Sequence, residues 1–134
     1  MCNSVQAHIE YIIAINPHTE IEVLEKLAKS EFAKIRRQVA ENPATPFRTL
    51  LPLLSDESAE VRIALSYNPK VPKLFLEWLS HDEEIDVRLG MADNPYLPDE
   101  ILRILEEDQN PYVSTHAAET RKISRQKWAQ RRAA

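Results

Sequence analysis

Between His81 and Asp86 the chain spells HDEEID, an imidazole and four carboxylates within six residues. Such an oxygen-rich cluster could ligate a hard divalent cation, and His81, Asp82 and Glu84 are the groups a small enzyme site would draw on. A second set recurs. Asp56 precedes Arg62 by six residues and Asp82 precedes Arg88 by six, with Arg36 in the same column as the two later arginines, an array that could be mistaken for a catalytic or phosphate-binding one. Other chemistry is thinly supplied. The histidines His8, His18, His81 and His116 show no metalloprotease spacing, and there is no serine elbow, P-loop or dinucleotide fingerprint. A chain with one glycine can hardly build a loop that cradles phosphate.

The elements that must carry these residues explain most of them without chemistry. Asn-Pro occurs at 16, 42, 68 and 94, a spacing of 26 each time. Other columns follow the same frame: Leu24, Leu50, Leu76 and Leu102; Leu27, Leu53, Leu79 and Leu105; Ile35, Val61, Val87 and Val113. A fixed period of this size is the mark of a repeat architecture, in which a unit too small to bury its own apolar face stacks on its neighbours. In that frame HDEEID aligns with SDESAE and EDQNPY, so it is a polar helix start rather than a metal cage. The ladder residues Asp56, Arg62, Asp82 and Arg88 recur at the structural period and are expected to bridge neighbouring units.

Each unit is expected to hold two helices. The first opens at Pro46, Pro72 or Pro98, placed at the first helical position where a missing N–H costs nothing. Leu50, Leu53 and Leu54 then form one apolar stripe. The second opens near Asp56, Asp82 or Asp108 as N-terminal caps, and Asn-Pro ends it because a residue before proline leaves the α region. Pro52 falls inside a first helix and predicts a kinked or shortened segment there.

The stretch VAENPATPFRTLLPLLSDESAEVR resembles the leucine-rich repeat variant family, helical repeats akin to HEAT repeats, and the likeness runs from about Ala14 to Glu119. The resemblance implies an all-α, right-handed α-solenoid of about four 26-residue two-helix repeats, the second helix short or 3-10. The Asp-to-Arg step is similar to the HEAT ladder. One family member holds an iron–sulfur cluster on an N-terminal cysteine cluster. Cys2 is the only cysteine here, so no cofactor carries over.

The 134 residues are expected to form a single helical-repeat domain: 1–15 an N-terminal cap or half repeat, 16–119 four repeats, 120–134 a basic capping helix or tail. One Gly against nine Pro suits helices joined by proline corners better than hairpins. A lone cysteine, no basic leader and no apolar run near the roughly 20 residues of a membrane span point to a soluble cytoplasmic protein.

Charge and exposed apolar residues carry what hint of function there is. Up to Thr120 the chain has 21 carboxylates against 11 cations, while six cations and no carboxylate follow. Phe47 and Leu51 stand where the next repeats have Lys73 and Glu77, then Asp99 and Arg103; Leu74 and Trp78 stand where others have Glu22, Lys26 or Glu100. These two i, i+4 pairs are the expected contact residues for a protein partner. The expected function is therefore a non-catalytic protein-interaction scaffold with no metal or cofactor. The alternative is nucleic-acid binding through Arg121, Lys122, Arg125, Lys127, Trp128, Arg131 and Arg132, although an acidic body would repel phosphates. In the structural reading of the same tail, Ile123 and Trp128 cover the last repeat.

Overall fold

The computed structural model describes the chain from Cys2 to Ala133; the side chains of Cys2, Asn3, Trp128 and Ala133 lie outside the described residues. The described residues form helices joined by turns and bends, with no strand. The helices are α1 (Cys2–Ile15), α2 (Ile21–Leu27), α3 (Ala33–Glu41), α4 (Phe47–Leu53), α5 (Ala59–Leu65), α6 (Lys73–Leu79), α7 (Ile85–Ala92), α8 (Asp99–Glu106) and α9 (Pro111–Ala133). Most span two turns, and helices that short are marginal alone, so tertiary burial of their apolar stripes must hold them. No helix among the described residues is long and apolar enough to cross a membrane.

Packing groups the chain into two compact units, one ending at Phe75 and one beginning at Leu76. In the first, α1 packs on α3 and α3 on α5, with α2 against α1 and α3 and α4 against α5. Its core is Leu24, Ile35, Val39, Leu50, Leu53, Val61 and Leu65, all buried. In the second, α9 packs on both α7 and α8, around Leu79, Val87, Met91, Ile101, Leu102, Leu105 and Val113. The period-26 columns seen in the sequence are thus the core positions, and each such side chain contributes about 1.5 to 3 kcal/mol by leaving water.

Several local expectations need correction. The prolines sit one residue earlier than expected. Pro46 (φ −72°, ψ 156°) and Pro98 (φ −57°, ψ 145°) are the extended residues just before α4 and α8, and their carbonyls accept the first helical N–H groups, Leu50 N at 3.1 Å and Leu102 N at 3.2 Å. The second helices α3, α5 and α7 are α-helical and short, not 3-10. Pro52 lies inside α4 without shortening it, since α2 and α6 have the same seven residues. It comes one residue before the helix ends, and the one bond it removes is that from its own missing N–H to Arg48 O. The Asp residues are not helix caps; α5 follows Ser58 and α7 follows Glu84. Residues 120–133 are no separate element, because α9 runs unbroken through Thr120.

Candidate functional site

The corners between helices carry the densest polar chemistry, and it is structural. Asn42 precedes a proline and is extended (φ −70°, ψ 121°), as the proline ring demands. Because Pro43 has no N–H, the next free donor is Ala44 N, which bonds Asn42 Oδ1 at 2.9 Å. The same turn forms at Asn16 with His18 N, at Asn68 with Lys70 N and at Asn94 with Tyr96 N, all within 3.0 Å. With the oxygen so engaged, the amide nitrogen faces inward. Asn42 Nδ2 donates to Ala14 O at 2.8 Å and Asn16 O at 2.9 Å, and Asn68 Nδ2 to Ala40 O at 2.8 Å and Asn42 O at 3.1 Å. Asn42 and Asn68 therefore each tie their corner to the corner before it. In the sequence the Asn-Pro pairs mark only where a helix ends; the signal for the amide's second role is the constancy of Asn where Asp or Ser would accept the same N–H but cannot donate twice.

Arg36 and Arg88 make a second recurring tie. Arg36 Nε bonds Asp56 Oδ2 at 2.8 Å, its Nη2 reaches Asp56 Oδ1 at 3.1 Å, and its Nη1 donates to Ser30 O at 2.8 Å. Arg88 repeats the pattern with Asp108 (Nε to Oδ2, 2.7 Å) and Asp82 O (2.7 Å). Arg62 Nη1 likewise donates to Asp56 O at 2.6 Å. The Asp side chains also hold their own turns: Asp56 Oδ1 accepts Ser58 N, Asp82 Oδ1 accepts Glu84 N and Asp108 Oδ1 accepts Asn110 N, each at 2.9 Å. The carboxylate partner thus lies 20 residues after its Arg, while the six-residue step is a bond to the Asp backbone. These guanidinium groups are occupied by the fold rather than presented as a phosphate array.

Asp108 titrates in a way that can be measured. Burial works to raise its pKa from 3.8, but the Arg88 hydrogen bond, the Asn110 N–H and the charges of Arg88 and His81 together hold it below that value. A carboxyl depressed in the folded state stabilises it fully above the unfolded pKa, about 4, and that contribution fades as pH falls through the folded value. Melting temperature is therefore expected to drop as pH is lowered from about 5 to 2, and Asp108→Asn to flatten that acid limb. Parallel loss in both proteins would show that other carboxylates govern it.

The HDEEID cluster is engaged locally. His81 Nδ1 lies 3.0 Å from Glu77 O and 3.1 Å from Ser80 Oγ, and Asp82 holds its turn. Among the described residues no group of three His, Cys, Asp or Glu side chains could hold a metal ion.

The remaining candidates are surface residues. Phe47 is 55% exposed and Leu51 48% in the first unit, with the Phe47 ring leaning on buried Phe75 at 5.4 Å between centroids. On α6, Leu74 is 72% and Trp78 66% exposed, one turn apart. The basic end of α9 divides in two. Arg121 bonds Asp99 at 2.8 Å and Glu106 at 3.2 Å, and Arg125 approaches Asp99 at 3.8 Å, so both help seat α9 on α8. The Arg121 hydrogen bond, against a smaller effect of burial and aided by the charges of Arg121, Arg103 and Arg125, lowers the Asp99 pKa. Lys122, Lys127, Arg131 and Arg132 are exposed, whereas Trp128 lies outside the described side chains. Ile123 does not cover the last repeat. It is exposed, and Val113, Ala117 and Thr120 form the buried stripe of α9 instead.

These features define an all-α protein of short paired helices whose corners are tied by buried Asn amides and Arg–Asp forks. Set against protein-family models, curated proteins and solved structures, the chain matches none.

Proposed function

We propose that the chain is a non-catalytic scaffold of the leucine-rich repeat variant kind, a single right-handed α-solenoid of about four two-helix repeats, that binds a protein partner in the cytoplasm. The observation that carries the reading is the exposure of Leu74, in a column that otherwise holds Glu22, Arg48 and Glu100, and of Trp78, in a column that holds Lys26, Pro52 and Ile104. Large apolar side chains held out on a rigid helix bind without first ordering a loop, and tryptophan is among the residues enriched at interface hot spots. The corner chemistry supports the same reading, because its polar groups are used to hold repeats in register.

Leu74→Ala with Trp78→Ala is expected to weaken partner binding at least about tenfold, while the melting temperature stays within a few degrees, since exposed substitutions stay within about 0.5 kcal/mol. Phe47 is the poorer probe because its contact with Phe75 contributes about 1 kcal/mol to the fold. Unchanged binding by the double variant, measured against a partner captured by the native protein, would remove α6 from the interface. A nucleic-acid reading keeps one supporting observation: Lys122, Lys127 and Arg131 stand exposed along α9.

A further inference from the structure

In the second unit a groove of about 650 Å³ runs between the corner at Pro95–Pro98 and the C-terminal half of α9. Its floor is apolar, formed by Leu97 and Leu102, and Tyr96 stands at its edge 87% exposed. Arg125, Lys127 and Arg131 line the α9 side. Asp99 is the one carboxylate in the lining, and Arg103 at 3.0 Å and Arg121 at 2.8 Å already engage it. The walls are held in place. Tyr96 N is bonded to the fully buried Asn94, and Ser124 Oγ on α9 donates to Pro95 O at 3.1 Å.

We propose that this groove binds an acidic, leucine-containing peptide segment of a protein partner. Lys127 and Arg131, with Arg125 shared with Asp99 at 3.8 Å, stand above an apolar floor and match carboxylates spaced along an extended chain whose apolar side chains drop onto Leu97 and Leu102. The volume is that of an ordinary ligand cleft, and a groove pinned at both walls loses little entropy on binding. A nucleic-acid strand fits less well. From Leu76 onward the chain carries 12 carboxylates against eight cations, which repel a continuous run of phosphates, and among the described residues Tyr96 is the one aromatic ring in the lining on which a base could stack. The proposal rests on the protein-binding reading only for the nature of the partner, and neither Leu74 nor Trp78 lines the groove.

The test is fluorescence anisotropy on the full chain with a short fluorescein-labelled peptide of alternating Glu and Leu, the same peptide with Gln for Glu, and a labelled oligothymidylate. The Glu peptide is expected to bind, with the Gln peptide at least about tenfold weaker. Lys127→Glu with Arg131→Glu is expected to reduce Glu-peptide binding by a similar factor, and Tyr96→Ala by a smaller one; circular dichroism checks that these exposed changes leave the helices intact. The proposal is overturned by equal binding of the Gln peptide, by full binding to the charge-reversed variant, by no binding at all, or by oligothymidylate binding more tightly through the same cations. None of those results touches the α6 test, because the Leu74/Trp78 variant keeps the groove.

Discussion

Replacing Arg36 with alanine is expected to lower stability by about 3 to 5 kcal/mol, the usual effect of leaving one member of a buried ion pair alone. The guanidinium and the Asp56 carboxylate are both about nine-tenths buried, at 10% and 8% side-chain exposure. Asp56 would keep its bond from Ser58 N but lose both guanidinium donors, and Ser30 O would lose the Arg36 bond. Lysine should not rescue the site, because an ammonium cannot bond both carboxylate oxygens and a third carbonyl in one plane. A cycle of Arg36→Ala, Asp56→Ala and the double variant, followed by urea denaturation, isolates the pair. A coupling of about 2 kcal/mol or more is expected. Simple additivity would mean that the fork is a surface decoration in energetic terms, and the tie between α3 and the turn before α5 would have to lie elsewhere.

Asn68→Ala should cost about 3 kcal/mol, because it strips partners from three backbone groups at once: Ala40 O, Asn42 O and Lys70 N. For a chain of this size that corresponds to a fall in melting temperature of roughly 10 °C. Asn68→Asp separates the two jobs of the amide. It keeps an acceptor for Lys70 N but turns a carboxylate oxygen toward two carbonyl oxygens, so the loss at neutral pH should be at least as large as for alanine. Lowering the pH should then recover part of it, since a protonated carboxyl can again donate. If the Asn68→Asp variant proves as stable as the native chain at neutral pH, the backward bonds from Nδ2 contribute nothing.

Both predictions concern residues whose importance was only half visible beforehand. The recurrence of Asn-Pro every 26 residues located the corners, and the proline explained the extended backbone. Nothing local indicated that the Asn amide would reach 26 and 28 residues back. The Asp/Arg column had a similar fate. Its period announced an inter-unit role, yet the partner of Arg36 is the Asp 20 residues later, a choice made by which turn the packing of α3 on α5 brings close. On α9, the helix-forming character of the tail was legible, while its buried face was not. Arg121 faces inward to Asp99 and Glu106, and Ile123, more apolar, faces out, because the helix continues from Pro111 without a break and its phase is set by Val113 and Ala117.

What the amino-acid order determined by itself is the set of elements and their spacing: helices from the 3.6-residue recurrence of Leu and Val, corners from proline, polar exposure from charged columns. These are interactions among residues a turn or two apart, and they need no knowledge of the rest of the chain. Only the tertiary structure decided which face of α9 is covered, which carbonyl each buried amide meets, and where cations gather over an apolar floor. Those outcomes depend on the packing of helices distant in sequence, whose phase and separation no local pattern encodes.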